Sequence, residues 1–139
     1  MLKSGQSWKD LTLFWSEDFF EKTDELLNND EDLCRVFSGM NTSIIAECID
    51  RKETFLILVD DGKISSEKAG AEDKGEFRFS APYDLWVKVA KGEEKVQSQV
   101  VRGKIKFRGS MPKMLLYLGK VVRMEKKILK IIRGMNLEF

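Results

Sequence analysis

Residues 75–110 read GEFRFSAPYDLWVKVAKGEEKVQSQVVRGKIKFRGS, and this stretch decides the fold. Residues 75–81 alternate in polarity, which predicts a strand with three side chains on its buried face: Phe77, Phe79 and Ala81. Residues 82–92 begin with proline and end with glycine around a helical apolar period. A second, shorter helix is predicted over 93–103. Residues 104–108 then alternate again, so a strand with one basic face follows.

Upstream of this stretch, the apolar period changes from helical to strand-like. Apolar residues recur at mostly three- or four-residue spacing within residues 1–30, and Ser7 followed by Asp10 is a variant of the capping box. We therefore expect an N-terminal helix there. Residues 42–49 and 54–59 are β-branched and apolar, and the charged turn between them predicts an antiparallel hairpin.

These elements predict the α+β class in one domain that spans residues 1–139. About five strands, including a short one at 63–66, form a mostly antiparallel sheet covered by helices. The sheet and its inserted helices occupy residues 38–110. A C-terminal helical region follows at 111–135, in which Gly119 is expected to mark a break or kink.

The composition excludes several classes of function. The chain has no histidine, which removes the usual general base, the Ser-His and Cys-His nucleophile pairs and the commonest metal ligand. Cys34 and Cys48 lack metal-ligand spacing and are expected to be free thiols. We expect neither a metal nor a cofactor. No apolar run is long enough to span a bilayer, and the first residues lack a signal-peptide core, so a cytoplasmic location is expected.

The charge of the chain is unevenly distributed, although its net charge is only +1. Residues 102–139 carry 11 basic and two acidic residues, whereas residues 1–101 carry 13 basic and 21 acidic ones. The basic residues of the last helical region admit four interpretations: a solvated helix face, a surface for transient docking on an anionic membrane, nucleic-acid binding, or a contact with a second copy or a partner enzyme. Nucleic-acid binding ranks last because Tyr117 is the only aromatic residue interleaved with them. The docking candidates are Lys120, Arg123, Lys126, Lys127, Lys130 and Arg133.

Residues 75–118 resemble the sterol carrier protein 2 (SCP-2-like) lipid-transfer family in the order of their elements as well as in residue type. Tyr83-Asp84-Leu85 stands where the family has an acidic-Leu helix start, and Lys91-Gly92 matches its basic-Gly helix end. Residues 103–109, GKIKFRG, are similar to the family's apolar strand flanked by glycines. The motif content is concentrated in residues 80–110, while the order of elements covers most of the chain.

The resemblance implies an SCP-2-like fold and a non-catalytic carrier, so enzymatic activity is not expected. Such a carrier holds one fatty acid, fatty acyl-CoA or sterol-like lipid in an apolar tunnel between the sheet and the C-terminal helices. The family's compact form closes soon after the last strand and helix. Residues 119–139 are therefore interpreted as a lid, a docking face or a plain solvated helix. The chain does not end in a Ser-Lys-Leu-type signal, so a peroxisomal location is not expected.

A lipid site needs a concave apolar lining, and Met and aromatic side chains suit it because they repack at low cost. The expected lining comprises Phe77, Phe79, Trp86, Val100, Ile105, Phe107, Met111, Met114, Leu115, Leu118 and Val122. The same side chains could equally form ordinary core. The alternative is thus a protein-interaction or accessory subunit with the same fold and no ligand cavity. A third class is an enzyme that uses a buried acid such as Glu47, although strand alternation would point this residue at solvent.

Overall fold

The computed structural model describes residues 11–139, in which a five-stranded sheet is followed by a helical C-terminal region. This part of the chain contains six helices, α1 to α6, which span Glu17–Asn28, Glu31–Phe37, Tyr83–Ala90, Val96–Val101, Met111–Arg123 and Glu125–Arg133. Its seven strands, β1 to β7, span Thr12–Leu13, Thr42–Cys48, Glu53–Asp60, Lys63–Ala69, Phe77–Ala81, Lys106–Arg108 and Leu137–Glu138. The α+β class is confirmed.

The main sheet has the strand order β4-β3-β2-β5-β6. Strands β2 and β3 form the predicted antiparallel hairpin, with Ile44 opposite Ile57. Strand β4 continues the antiparallel pairing on one side, and β6 does so on the other. Only β2 and β5 run parallel, with Ala46 beside Phe79. The prediction of a five-stranded, mostly antiparallel sheet is therefore confirmed.

One face of the sheet carries the core, because its inward side chains are apolar and aromatic and the helices pack against them. Fifteen buried residues form the larger cluster, to which α1, α3, α4 and α5 all contribute. Within it the ring of Trp15 stacks on Trp86 at 4.8 Å, and Phe20 stacks on Phe55 at 4.2 Å. The indole N–H of Trp86 donates to the carbonyl of Glu47 at 2.9 Å, so the buried polar atom is satisfied.

The start of the first helix differs from the prediction. Helix α1 begins at Glu17, and Ser16 caps it by accepting a hydrogen bond from the backbone N–H of Phe19 at 3.2 Å. Trp15 has a left-handed φ of 62°, which no helix could accommodate. Residues 12–13 are strand β1 instead of helix. The expected capping pair, Ser7 and Asp10, lies outside the described residues.

Three smaller boundaries also differ. Helix α5 runs without interruption through Gly119 and ends at Arg123, so the expected break lies five residues later, at Met124. The cost of one glycine in a helix is about 1 kcal/mol, which packing of the other face offsets. Helix α4 begins at Val96 rather than at Glu93, and strand β6 begins at Lys106.

The C-terminal segment returns to the N-terminal one. Strand β7 pairs in parallel with β1, so that the backbone N–H of Phe14 donates to the carbonyl of Glu138 at 2.9 Å. The ring of Phe139 lies 5.2 Å from that of Phe14. This pairing holds Phe14 and Trp15 in the core, where both are buried. The boundaries of the predicted single domain stay a prediction.

Candidate ligand pocket

An apolar pocket lies where the end of α3 and the start of α4 face the corner between α5 and α6. Its volume is about 150 Å³. The apolar lining is aliphatic throughout and comprises Val89, Ala90, Val96, Leu118, Val121, Val122, Ile128, Leu129 and Ile132, with Gly92 between the helices. The polar lining consists of Glu94, Lys95, Gln97 and Glu125. A few polar groups beside an apolar wall are typical of a site for an amphiphile.

Gly92 sets the width of the pocket at its α3 end. The residue has a left-handed φ of 79°, which turns the chain sharply after α3. A Cβ at this position would lie 3.1 Å from Cδ1 of Leu129 and 3.2 Å from Nη2 of Arg133. Glycine therefore lets α6 approach the end of α3. The guanidinium of Arg133 also donates to the carbonyl of Lys91 at 3.4 Å.

Three of the four polar side chains of the lining already have partners. Nζ of Lys95 lies 3.5 Å from Oε2 of Glu125, which forms an ion pair between α6 and the residue that precedes α4. Glu94 accepts a hydrogen bond from the side-chain amide of the buried Gln99. The interior of the pocket is thus left apolar. A ligand head group at this edge would meet the Lys95–Glu125 pair.

Helix α6 has no fully buried residue; Ile128, Ile131 and Ile132 pack half-buried against the core, and polar contacts add to this packing. Nζ of Lys127 lies 3.1 Å from Asp30 and 2.5 Å from Asp32, at the start of α2. The pKa of Lys127 is raised by its hydrogen bonds to Asp32 and then Asp30. The pKa of Asp32 is lowered chiefly by Lys127, and that of Asp30 chiefly by the backbone N–H of Leu33. Lys127 therefore links α6 to the start of α2.

The structure distributes the eleven expected lining residues over four environments. Leu118 and Val122 line the pocket. Met111 and Leu115 are exposed on α5. Phe107 is half-buried, and its ring lies 5.9 Å from Phe77 and 5.1 Å from Phe79. The remaining residues are buried in the core, namely Phe77, Phe79, Trp86, Val100, Ile105 and Met114.

Most of the pocket wall was not anticipated from the sequence. The missed residues include Val89, Val96, Val121, Ile128, Leu129 and Ile132. A signal was present in residues 125–133, EKKILKIIR, where apolar residues recur along one side of a helix. The residues predicted from this segment were its basic ones, which belong to the polar side of the same helix.

The six expected docking residues also separate. Lys127 is occupied by its two ion pairs, and Arg133 by the carbonyl of Lys91. Arg123, Lys126 and Lys130 are exposed, while Lys120 is half-buried. Only part of the predicted basic face is thus free to meet a partner.

A second, polar groove of about 730 Å³ lies on the outer face of the sheet. Glu47 lies in it, where its carboxylate accepts a hydrogen bond from Ser80 at 2.7 Å and pairs with Arg78 at 3.3 Å. The residue is half-buried and does not point freely into solvent as alternation predicted. Among residues 11–139 no group of three or more acidic or cysteine side chains could hold a metal ion. No helix in the same range is long and apolar enough to cross a bilayer.

Comparison with known proteins supports the architecture. The model of the SCP-2 sterol transfer family matches residues 21–118. No curated protein sequence matches the chain significantly. A crystal structure of sterol carrier protein 2 has 15% identity and a TM-score of 0.69, and the match covers 88% of this chain and 98% of that one. A conserved protein of Thermus thermophilus, described as possibly a sterol carrier protein, has 15% identity and a TM-score of 0.68, with 86% and 87% of the two chains covered.

The same fold also occurs inside a larger enzyme. The inverting sec-alkylsulfatase Pisa1 from Pseudomonas sp. matches with a TM-score of 0.56 and 15% identity. The match covers 74% of this chain but only 16% of the sulfatase. At these identities the structures show a shared fold, whereas the family model spans well over half of the chain. The chain therefore belongs to the SCP-2 sterol transfer family, whose general function is lipid binding or transfer.

Proposed function

We propose that this chain binds and transfers a hydrophobic ligand, such as a fatty acid, fatty acyl-CoA or sterol-like lipid, and catalyses no reaction on it. The apolar part of the ligand would occupy the pocket between α3–α4 and α5–α6. The aliphatic lining of this pocket is the observation that carries the proposal. Domains of the SCP-2 family are generally non-catalytic lipid-binding domains, which supports it. A cytoplasmic location stays a prediction.

The size of the pocket bears on how a ligand would be accommodated. A volume of about 150 Å³ matches an engineered apolar cavity that accepts benzene, whereas sites for drug-sized ligands measure about 300–1,000 Å³. The pocket therefore fits the end of one apolar chain. A longer ligand requires α6 to move outward. Because α6 has no fully buried residue, such a movement would uncover only half-buried apolar side chains.

Lipid extraction and ligand displacement test the proposal. Purified protein is extracted with organic solvent for mass spectrometry, and a fluorescent fatty acid is titrated into the delipidated chain. Val121→Gln places an amide in the half-buried part of the pocket wall and is expected to weaken binding about tenfold, because an amide covered by an apolar ligand without a partner costs about 1–3 kcal/mol. Leu116→Gln is the matched control, since Leu116 is exposed on the same helix outside the pocket. No co-purifying lipid together with no saturable binding would refute the proposal.

The accessory-subunit function remains the second candidate, and the packing of the core favours it. Trp86 stacks on Trp15, and Met114 is buried, so side chains fill the region where the tunnel was expected. In this case a second copy or a partner enzyme would bind the chain and no lipid would be present. Extraction yielding no lipid, combined with a stable complex in solution, would favour this function over the first.

A further inference from the structure

The outward face of α5 is apolar over three turns. Successive residues of a helix are rotated by about 100°, which places Met111, Leu115 and Val122 in one stripe. Leu116 lies beside this stripe and is 66% exposed. Pro112 and Gly119 lie between them, so no charged residue interrupts this face before Arg123. The α5 face is defined here as Met111, Pro112, Leu115, Leu116, Gly119 and Val122.

The adjoining end of α4 is apolar and exposed as well. Val101, its last residue, is 76% exposed. Val101 lies one turn after Gln97, and Gln97 lines the same pocket as Leu118 and Val122 of α5. The exposed sides of the two helices therefore border one pocket. Isolated apolar residues on a surface need no explanation, but a contiguous group such as the α5 face marks an interaction site.

The segment of chain that carries this face has charges of one sign. Residues 101–124 contain seven basic residues and no acidic one. Lys113 pairs with Glu76. Within residues 11–139, the other six basic residues make no ion pair, namely Arg102, Lys104, Lys106, Arg108, Lys120 and Arg123. Exposed apolar side chains flanked by free cations are the pattern of a protein that lies on an anionic membrane surface.

We propose that the α5 face and Val101 dock on the surface of an anionic lipid bilayer. The apolar side chains insert shallowly at the level of the head groups, while Arg102, Lys104 and Arg123 contact lipid phosphates and carboxylates. A symmetric pair of chains would instead bring the same basic residues of both copies together, which like-charge repulsion opposes. The membrane is therefore the occupant that the charge favours.

Docking through this face would turn the pocket toward the bilayer. Val122 belongs both to the pocket wall and to the α5 face. Leu118 lies in the pocket wall beside that face. A lipid chain could then pass between membrane and pocket without crossing water. This last step rests on the proposed lipid-binding function, whereas the docking itself does not.

Co-sedimentation with vesicles tests the docking. The full chain is mixed with vesicles of equimolar phosphatidylcholine and phosphatidylserine, and with vesicles of phosphatidylcholine alone. We expect binding to the first and little binding to the second. The double variant Arg102→Glu with Lys104→Glu should bind at least about 25-fold more weakly, because each basic residue near the surface contributes about five-fold. The double variant Leu115→Gln with Leu116→Gln should bind at least about tenfold more weakly, because it removes apolar area that inserts among the head groups.

Matched controls lie elsewhere on the chain. Leu26 is 43% exposed on α1, close to the 41% of Leu115, so Leu26→Gln should leave vesicle binding unchanged. Lys52→Glu serves the same purpose for charge, since Lys52 is exposed in the turn between β2 and β3. Equal vesicle binding by wild type and both double variants would overturn the proposal. So would a dimer, measured by sedimentation equilibrium, that the leucine variant abolishes while no vesicle binding is seen.

Fatty-acid binding in vesicle-free solution separates this proposal from the lipid-binding function. The docking variants should keep the affinity of wild type for a fluorescent fatty acid, because none of the four substituted residues lines the pocket. Vesicle binding without any fatty-acid binding would refute the proposed function and leave the docking intact. Fatty-acid binding without vesicle binding would do the reverse.

Discussion

Leu129→Ala is expected to lengthen the apolar chain that the pocket accepts. Leu129 lines the pocket from α6, and its Cδ1 faces Gly92 at the end of α3. The substitution removes the three outermost carbon atoms from this wall and leaves the backbone of α6 unchanged. The pocket then extends toward the end of α3, along the direction in which Leu129 closes it.

The size of the effect follows from the hydrophobic burial of methylene groups. Each buried methylene contributes about 0.8 kcal/mol, so two further methylenes in the enlarged pocket contribute about 1.6 kcal/mol. This corresponds to a roughly fifteen-fold gain in the affinity of a longer chain relative to a shorter one. Replacement of a fully buried leucine by alanine lowers the free energy of unfolding by about 2–5 kcal/mol. Because Leu129 is only half-buried, we expect the variant to lose about 1–2 kcal/mol of unfolding free energy and to remain folded.

Competition with a series of saturated fatty acids measures this preference. Each acid displaces a fluorescent fatty acid from wild type and from the variant, and the ratio of affinities between successive chain lengths is compared. Leu26→Ala removes the same atoms from an exposed position on α1 and should not change the ratio. Met114→Ala, in the core, should lower stability by more and leave the ratio unchanged. An unchanged ratio in Leu129→Ala, or a shift in Met114→Ala instead, would show that the ligand lies elsewhere.

Three further predictions concern other parts of the chain. Lys127→Ala should speed amide hydrogen exchange in α6; in wild type, the protection of α6 should weaken only when pH falls through the lowered pKa values of Asp30 and Asp32 or rises through the raised pKa of Lys127. Protection of α6 that stays constant across both of these limits would contradict this reasoning. Burial raises the pKa of the Cys48 thiol to about 12, so iodoacetamide should leave it unmodified in the native chain at neutral pH, and peptide mapping that finds rapid alkylation would be inconsistent with its position. Glu47→Gln should lower the unfolding free energy by about 1 kcal/mol in urea titrations without affecting fatty-acid binding, and a loss of binding would place the ligand on the outer face of the sheet.

The sheet could be predicted because its signals are local. Residues 42–49 and 54–59 alternate or run apolar on either side of a charged turn, and the hairpin register follows from these neighbours. The conformation of residues 12–15 depends instead on partners that are distant in sequence. Strand β1 exists because β7 pairs with it, and Trp15 leaves the helical conformation to stack on Trp86. No window of sequence around Trp15 contains either partner.

The lining of the pocket was harder to predict than the fold because core and pocket require the same residue types. Met114 and Leu118 lie four residues apart on α5, yet the first is buried in the core and the second borders the cavity. The two residues differ in their surroundings because different elements lie opposite them. The position of α6 is set by contacts such as Lys127 with Asp30 and Asp32, which join segments far apart in sequence.

Much of the pocket wall lies beyond the residues that the family model matches. The family match ends at residue 118, whereas Val121, Val122, Ile128, Leu129 and Ile132 form one side of the pocket. Residues after this limit also form β7, which holds the rings of the N-terminal segment in the core. The same extension thus helps to fill the space between sheet and helices and provides one wall of the pocket. A ligand of the proposed kind would therefore be selected partly by α6, because no residue of α6 falls within the family match.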